Sequence, residues 1–233
     1  MSDRAQSAVI GVAVLLAVTV VSVAALTVTV GSLVDRSADT AEARAAATSM
    51  NDALATDRSG PHERQFALHS GRLRTVDRTV RLLQGSEPVV EQSVGGLVYA
   101  DSNYRVRAVA GATVSDTGGG GRLHTAPSIS IRDRTLFVGL PRLGADAVAV
   151  GGKTTVTLRT NLTHTRQQFS GGGYALAVET RAPGVWERHF EALGATTTRR
   201  SFDDDGVASV VARFPSVRTV HVFVHDLRLE VGR

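Results

Sequence analysis

Two patterns of apolar and polar residues divide this chain. From Gln6 to Val34 no side chain is charged, and between Ala8 and Val30 only Gly11, Thr19, Ser22, Thr27 and Thr29 interrupt Ala, Val, Leu and Ile. As an α-helix rising about 1.5 Å per residue, such a segment is roughly 35 to 45 Å long, enough to cross the ~30 Å hydrocarbon core of a bilayer. The following stretch, DRSADTAEARAAATSMNDALATDRSGP, is rich in Ala and good helix formers up to Gly60-Pro61. Within it Val34, Ala38, Ala41, Ala45 and Thr48 follow three- and four-residue spacing, which predicts an amphipathic continuation with one narrow, smooth stripe.

From Phe66 onward the pattern changes to alternation, the period of a strand. YRVRAVA places Tyr104, Val106, Ala108 and Ala110 on one face and Arg105 and Arg107 on the other. SISIRDRTLFVGL reads as two strands around a turn at Asp133-Arg134, the second ending at Pro141. TTVTLRTNL groups Val156, Leu158 and Leu162, and YALAVET groups Tyr174, Leu176 and Val178. Glycine-rich breaks at Gly95-Gly96, Gly118 to Gly121, Gly151-Gly152 and Gly171 to Gly173 separate these runs. One helix interrupts: RAPGVWERHFEALG has Pro183 in its first turn, Trp186, Phe190 and Leu193 on one face, and Gly194 at its stop. TTTRRSF and VASVVARF predict a hairpin closed at Asp205-Gly206, and VRTVHVFVHDLRLEV one long strand in the middle of a sheet.

Composition changes this picture only in part. With 233 residues the chain can bury a real core. It has no cysteine, so disulfides and thiolate metal sites are excluded. Of 26 basic side chains only Lys153 is a lysine, and against 22 acids the net charge is +4. The arginines alternate along strands, as at Arg105, Arg107, Arg132 and Arg134, with no aromatic-flanked cluster, so solvated strand faces are expected in place of a nucleic-acid footprint.

A secretion signal has an apolar region of roughly 7 to 15 residues, and the run here is nearly twice that, although Ser22, Ala24 and Ala25 offer small residues for a cut. Arg4 on one flank and Arg36 on the other give little charge bias, which only weakly favours the N-terminus inside.

The junction DRAQSAVIG sets a charged pair, a small residue and Gln-Ser directly before the apolar run. In this it resembles the N-terminus of archaeal, including haloarchaeal, type IV pilin-like precursors with a prepilin-type (class III) signal. The resemblance implies cleavage between Ala5 and Gln6 by a membrane-bound prepilin peptidase on the cytoplasmic side, with the apolar segment kept on the mature protein. Many bacterial pilins carry Glu at the fifth mature position, where this chain has Ile10. The strands, short Trp-bearing helix and C-terminal hairpin are also similar to the heads of haloarchaeal pilin-like proteins. If helices of neighbouring copies replace lipid, the small residues Gly11, Ala13, Ala17, Ala24 and Ala25 would allow close packing.

Other chemistry finds little foothold. His221 and His225 share a strand face with Phe223 at about 13 Å, too far apart to hold one ion without ligands from neighbouring strands. The DDDG stretch lacks the ligand spacing and distal Glu of an EF-hand and reads as a solvated turn. No Gly-Lys-Ser/Thr follows the glycine runs, and neither a Gly-x-Ser-x-Gly elbow nor a His-Glu-x-x-His pair occurs. Asn161-Leu162-Thr163 is an N-glycosylation sequon on the polar face of its strand.

The expected fold class is therefore α+β: a long N-terminal hydrophobic helix before a mostly antiparallel, β-sandwich-like head with one short helix. The expected divisions are a leader at 1–5, a transmembrane or filament-core helix at 6–34, its amphipathic continuation at 35–60, and an extracellular β-rich head at 61–233. The expected protein is a non-enzymatic, single-span pilin-like surface protein, a filament or pseudopilus subunit. Its expected partners are the membrane, prepilin peptidase and copies of itself or other pilins, with no cofactor, metal or nucleic acid. Alternatives are an anchored binding domain that does not polymerise and a secreted enzyme.

Overall fold

The computed structural model describes Leu16 and residues 18–22, 37–56, 60–68, 71–117, 121–203 and 205–232. Contacts divide the chain into Met1–Glu42 and Ala43–Arg233, and all the strands belong to the second unit. This overturns the expected fold class, because the described fold is mostly β and no described helix is long and apolar enough to cross a membrane. In the apolar stretch the described helical residues are Leu16 and 18–22, and Leu16, Val18, Val20 and Val21 are all exposed. Of the described residues there, Val18, Thr19, Val20 and Val21 carry branched Cβ atoms, which lower helix propensity, so an apolar run does not by itself specify a long helix.

Helix α1 occupies residues 37–53. Its buried residues are Ala43, Ala47, Met50 and Ala53, whereas Ala38, Ala41, Ala45 and Thr48 of the expected stripe are exposed. In an Ala-rich helix every face looks alike, and the largest apolar side chain decides which face packs. Here that is Met50, which joins Phe66, Leu73, Tyr99 and Leu158 in one buried cluster.

Three sheets follow. The first has the order β1 (Gly60–Leu68), β12 (Thr154–Ser170), β16 (Thr219–Asp226), β10 (Thr135–Arg142), β9 (Ile129–Arg132), with β17 (Glu230–Gly232) also on β12. The second runs β11 (Ala149–Gly151), β2 (Arg72–Val76), β5 (Gly96–Ala100), β6 (Arg105–Val109), β7 (Ala112–Asp116), β8 (Gly121–Thr125). The third runs β14 (Thr196–Arg200), β15 (Ser209–Arg213), β13 (Tyr174–Glu179), β3 (Thr79–Gln84), β4 (Glu87–Ser93). Every described pairing is antiparallel except β10 with β16.

The alternating runs become strands with the expected inward faces. Tyr104, Val106 and Ala108 are buried while Arg105 is exposed, and Val156, Leu158 and Leu162 are buried along β12. Asp133 and Arg134 both have positive φ (48° and 60°) and close the β9–β10 hairpin in the type I′ manner that matches strand twist. The β14–β15 pair forms, but Arg200 opposes Ser209, so the connection is an eight-residue loop, 201–208, instead of a tight turn. The C-terminal run is two strands, since 227–229 leave the ladder between β16 and β17. β16 does lie in the middle of its sheet.

Helix α2 (Pro183–Ala192) starts with Pro at its first turn and buries Val185, Trp186 and Phe190. Phe190 sits 5.5 Å from Trp186 and 6.3 Å from Phe214, ring centre to ring centre. This aromatic group fills the largest core cluster, which also takes Leu136, Val138, Leu176 and Val222 from two different sheets. On β8, Gly121 allows α2 to approach: a Cβ there would stand 2.6 Å from Val185 Cγ2.

Candidate functional site: an arginine cleft and a histidine row

Strands β2 and β6 carry the same device, Arg-x-Arg with an apolar residue between. Alternation sends Leu73 and Val106 into the core and leaves Arg72, Arg74, Arg105 and Arg107 on the opposite face. Strand β5 lies between them, with Val98 paired to both Arg74 and Arg107, and Ala100 to both Arg72 and Arg105. The small residues of β5 therefore floor a trough about 10 Å wide between two arginine-bearing strands. Thr180, Arg181, Ala182 and Trp186 wall this face, and the cleft between them is narrow, with a cavity volume of about 20 Å³.

Charge in the cleft is unbalanced. Arg78, partly buried, is held at 3.2 Å by the buried Glu179, and the Thr79 N–H donates to the same carboxylate at 3.0 Å. Burial nevertheless raises the Glu179 pKa against the pull of Arg78 and Thr79. Arg107 is only 12% exposed, and its buried Nη1 makes no hydrogen bond. The Asp116 carboxylate is 3.9 Å away. Burial, then the guanidinium of Arg105, lower the Arg107 pKa; Asp116 opposes this, and Arg181 and Arg74 reinforce it. Such a group is a charge-assisted donor without an acceptor.

A second constellation lies on the first sheet. His221, Phe223 and His225 share a face with Gln168, Arg166 and His164 of β12 and with Phe137, Gly139 and Pro141 of β10. His164 Nδ1 is 2.7 Å from His225 Nδ1, and Arg166 Nη2 is 3.1 Å from His221 Nδ1. Phe137 stacks on His221 at 5.3 Å, and the Arg166 guanidinium lies over Phe223 at 5.6 Å. Burial, then His164, depress the His225 pKa. Among the described residues no three His, Cys, Asp or Glu side chains are placed to hold a metal ion.

Residues 4–230 match the model of a family of unknown function, DUF7289. The chain belongs to that family. No curated protein and no solved structure matches it. The DUF7289 match takes in both the apolar N-terminal segment and the sheets, so the two form one family unit.

The structure places the remaining sequence candidates within this DUF7289 chain as follows. Asp203 Oδ2 accepts from Arg81 Nη2 at 2.8 Å, and Asp205 Oδ1 accepts from the Val207 N–H at 2.8 Å. Those two DDDG carboxylates thus serve the protein's own groups, while Asp204 lies outside the described residues. Asn161 is exposed on β12, and its backbone N–H donates to the Leu227 carbonyl. Gly171 to Gly173 form the turn into β13 with positive φ, and of Gly118 to Gly121 only Gly121 is described. Ala5, Gln6, Gly11, Ala13, Ala17, Ala24 and Ala25 lie outside the described residues.

Sequence reasoning missed the arginine cleft because it read each Arg-x-Arg run as a separate solvated face. The usable signal was the repetition of RLR and RVR with apolar residues of strand period between, which forces both pairs outward on whichever sheet holds them. His164 was missed because His-Thr-Arg-Gln-Gln has no apolar alternation, so the far end of β12 was not legible as strand.

Proposed function

We propose that this chain is a membrane-tethered, pilin-like surface protein whose β-rich unit lies outside the cell and acts by attachment, with no bond chemistry of its own. The observation that carries the reading is the junction Arg4-Ala5-Gln6-Ser7 set directly before 27 further uncharged residues of a segment that one family match joins to the sheets. A small residue before the Ala5-Gln6 bond suits a peptidase pocket. An uncharged segment of that length favours the bilayer interior, where each charge would be costly. Its partners in this reading are the membrane, a prepilin peptidase and further copies of the chain or other pilins. The exposed Asn161 sequon suits a surface protein and can carry a glycan there.

A second reading keeps the tether and drops polymerisation, leaving a single-span extracellular binding domain. The arginine cleft favours it, since a walled site with an unmatched buried donor is a recognition feature and not an assembly feature.

Fractionation tests the shared core of both readings. The full chain is expected to pellet with membranes, to resist extraction by high salt, and to dissolve in detergent, while protease added to intact cells digests the β-rich unit. Recovery in the soluble cell fraction, or full protease protection in intact cells, contradicts it. Immuno-labelled electron microscopy of sheared surface material separates the two readings: labelled filaments support the subunit, and their absence supports the stand-alone domain.

A further inference from the structure

We propose that the cleft between the arginine face of the second sheet and the start of α2 binds a small molecule bearing an oxyanion group, a carboxylate, phosphate or sulfate, with Arg107 at its inner end. The inference does not depend on tethering or polymerisation. Five guanidinium groups border the space or act on its centre, Arg74, Arg78, Arg105, Arg107 and Arg181, against the carboxylates of Asp116 and Glu179. Glu179 is committed to Arg78 and the Thr79 N–H, and Asp116 stands 3.9 Å from Arg107, beyond hydrogen-bond length.

A guanidinium offers a planar fork of N–H donors that matches two oxygens of one oxyanion. Arg107 lines the cleft with its Nη1 unbonded and closed to solvent, so its charge is poorly screened and attracts an oxyanion at the mouth. Arg74 and Arg181 are exposed at the mouth and add attraction from outside. Helix α2 begins beside them with no acidic residue in its first turn and no side-chain cap at Ala182, so its N-terminal dipole has the same sign.

The rest of the lining limits how far the ligand enters. Val98, Val109, Val114 and Trp186 give the cleft an apolar floor and wall. The enclosed space is only about 20 Å³, room for a single oxyanion oxygen, so the body of the ligand stays at the mouth. A nucleic-acid strand would instead need an open basic stripe along the surface.

Trp186 is the only tryptophan and lines the cleft, so its fluorescence reports occupancy. The full-length protein in detergent is titrated with sodium benzoate, sodium phosphate and sodium sulfate, with sodium chloride at matched ionic strength as reference, and calorimetry is run alongside. At least one oxyanion is expected to give a saturable change that chloride does not. Arg107→Gln is expected to weaken it about tenfold and Arg181→Gln about threefold. Saturation by benzoate alone assigns an organic acid, and saturation by phosphate or sulfate assigns a free inorganic oxyanion or its ester. Chloride-like behaviour of all three, or unchanged affinity in Arg107→Gln, overturns the site. Should Arg107→Gln fail to fold, the exposed variants Arg74→Gln and Arg181→Gln carry the test, and unchanged affinity in both overturns it.

Discussion

His164 and His225, directly opposed on antiparallel strands β12 and β16, bring their Nδ1 atoms to 2.7 Å. One proton can be shared across that gap, and two cannot be accommodated without separating the rings. The His225 pKa lies below the ordinary imidazole value through burial and His164; that of His189 does so through burial, and that of His124 through burial, Arg122 and Arg44. Folded values below unfolded ones mean that the unfolded chain binds more protons. The stability these groups contribute is present above about pH 6.5 and is lost as pH falls through their folded values. Glu179, with its raised pKa, has the opposite sign, since its contribution is present at low pH and lost as pH rises. A falling Tm between pH 7.5 and 5.5 is expected, with a shallower fall in His164→Asn. An equal slope in that variant contradicts the shared-proton reading.

Phe190 is fully buried against Trp186 and Phe214. Phe190→Ala is expected to cost about 3–5 kcal/mol, measured by denaturant unfolding, and to shift Trp186 emission to the red. A loss below about 1 kcal/mol would mean that α2 is not anchored by this aromatic group.

Gly121→Ala sets a methyl group 2.6 Å from Val185 Cγ2 and is expected to destabilise by about 1–3 kcal/mol. In a Val185→Ala background the same change should cost much less. Additive effects in that double-mutant cycle would rule out the proposed contact between β8 and α2.

Much of this core was legible as period. The alternating runs 104–108 and 154–162 and the helix around Trp186 each carry large apolar residues at one repeat, and burial follows that repeat. Where the signal failed, a physical reason can be given. On α1 the alanines outnumber the one large side chain, so spacing alone chose the wrong face. In β13 both faces are buried, because Ala175 and Ala177 pack with Leu83 and Val211 on the side away from Leu176, and small residues on a second face resemble solvent-side residues in a sequence. The arginine cleft and the histidine pair are cross-strand objects. Their members lie 33 residues apart for Arg74 and Arg107 and 61 apart for His164 and His225, and only register brings them together.

The β9–β10 turn holds two non-glycine residues at positive φ. Replacing the second, Arg134→Gly, removes the steric cost of the left-handed region and adds unfolded-state entropy. The expected net gain is about 0.5 kcal/mol, read as a raised Tm. A lowered Tm would show that the Arg134 Nε bond to the Ser216 carbonyl matters more than the backbone conformation.

The N-terminus of the mature protein tests the central claim most directly. Chain purified from the membrane fraction and measured by intact mass and N-terminal sequencing is expected to begin at Gln6, with the apolar segment retained. A chain that begins at Met1, or one cut near Ala25, contradicts the pilin-like reading.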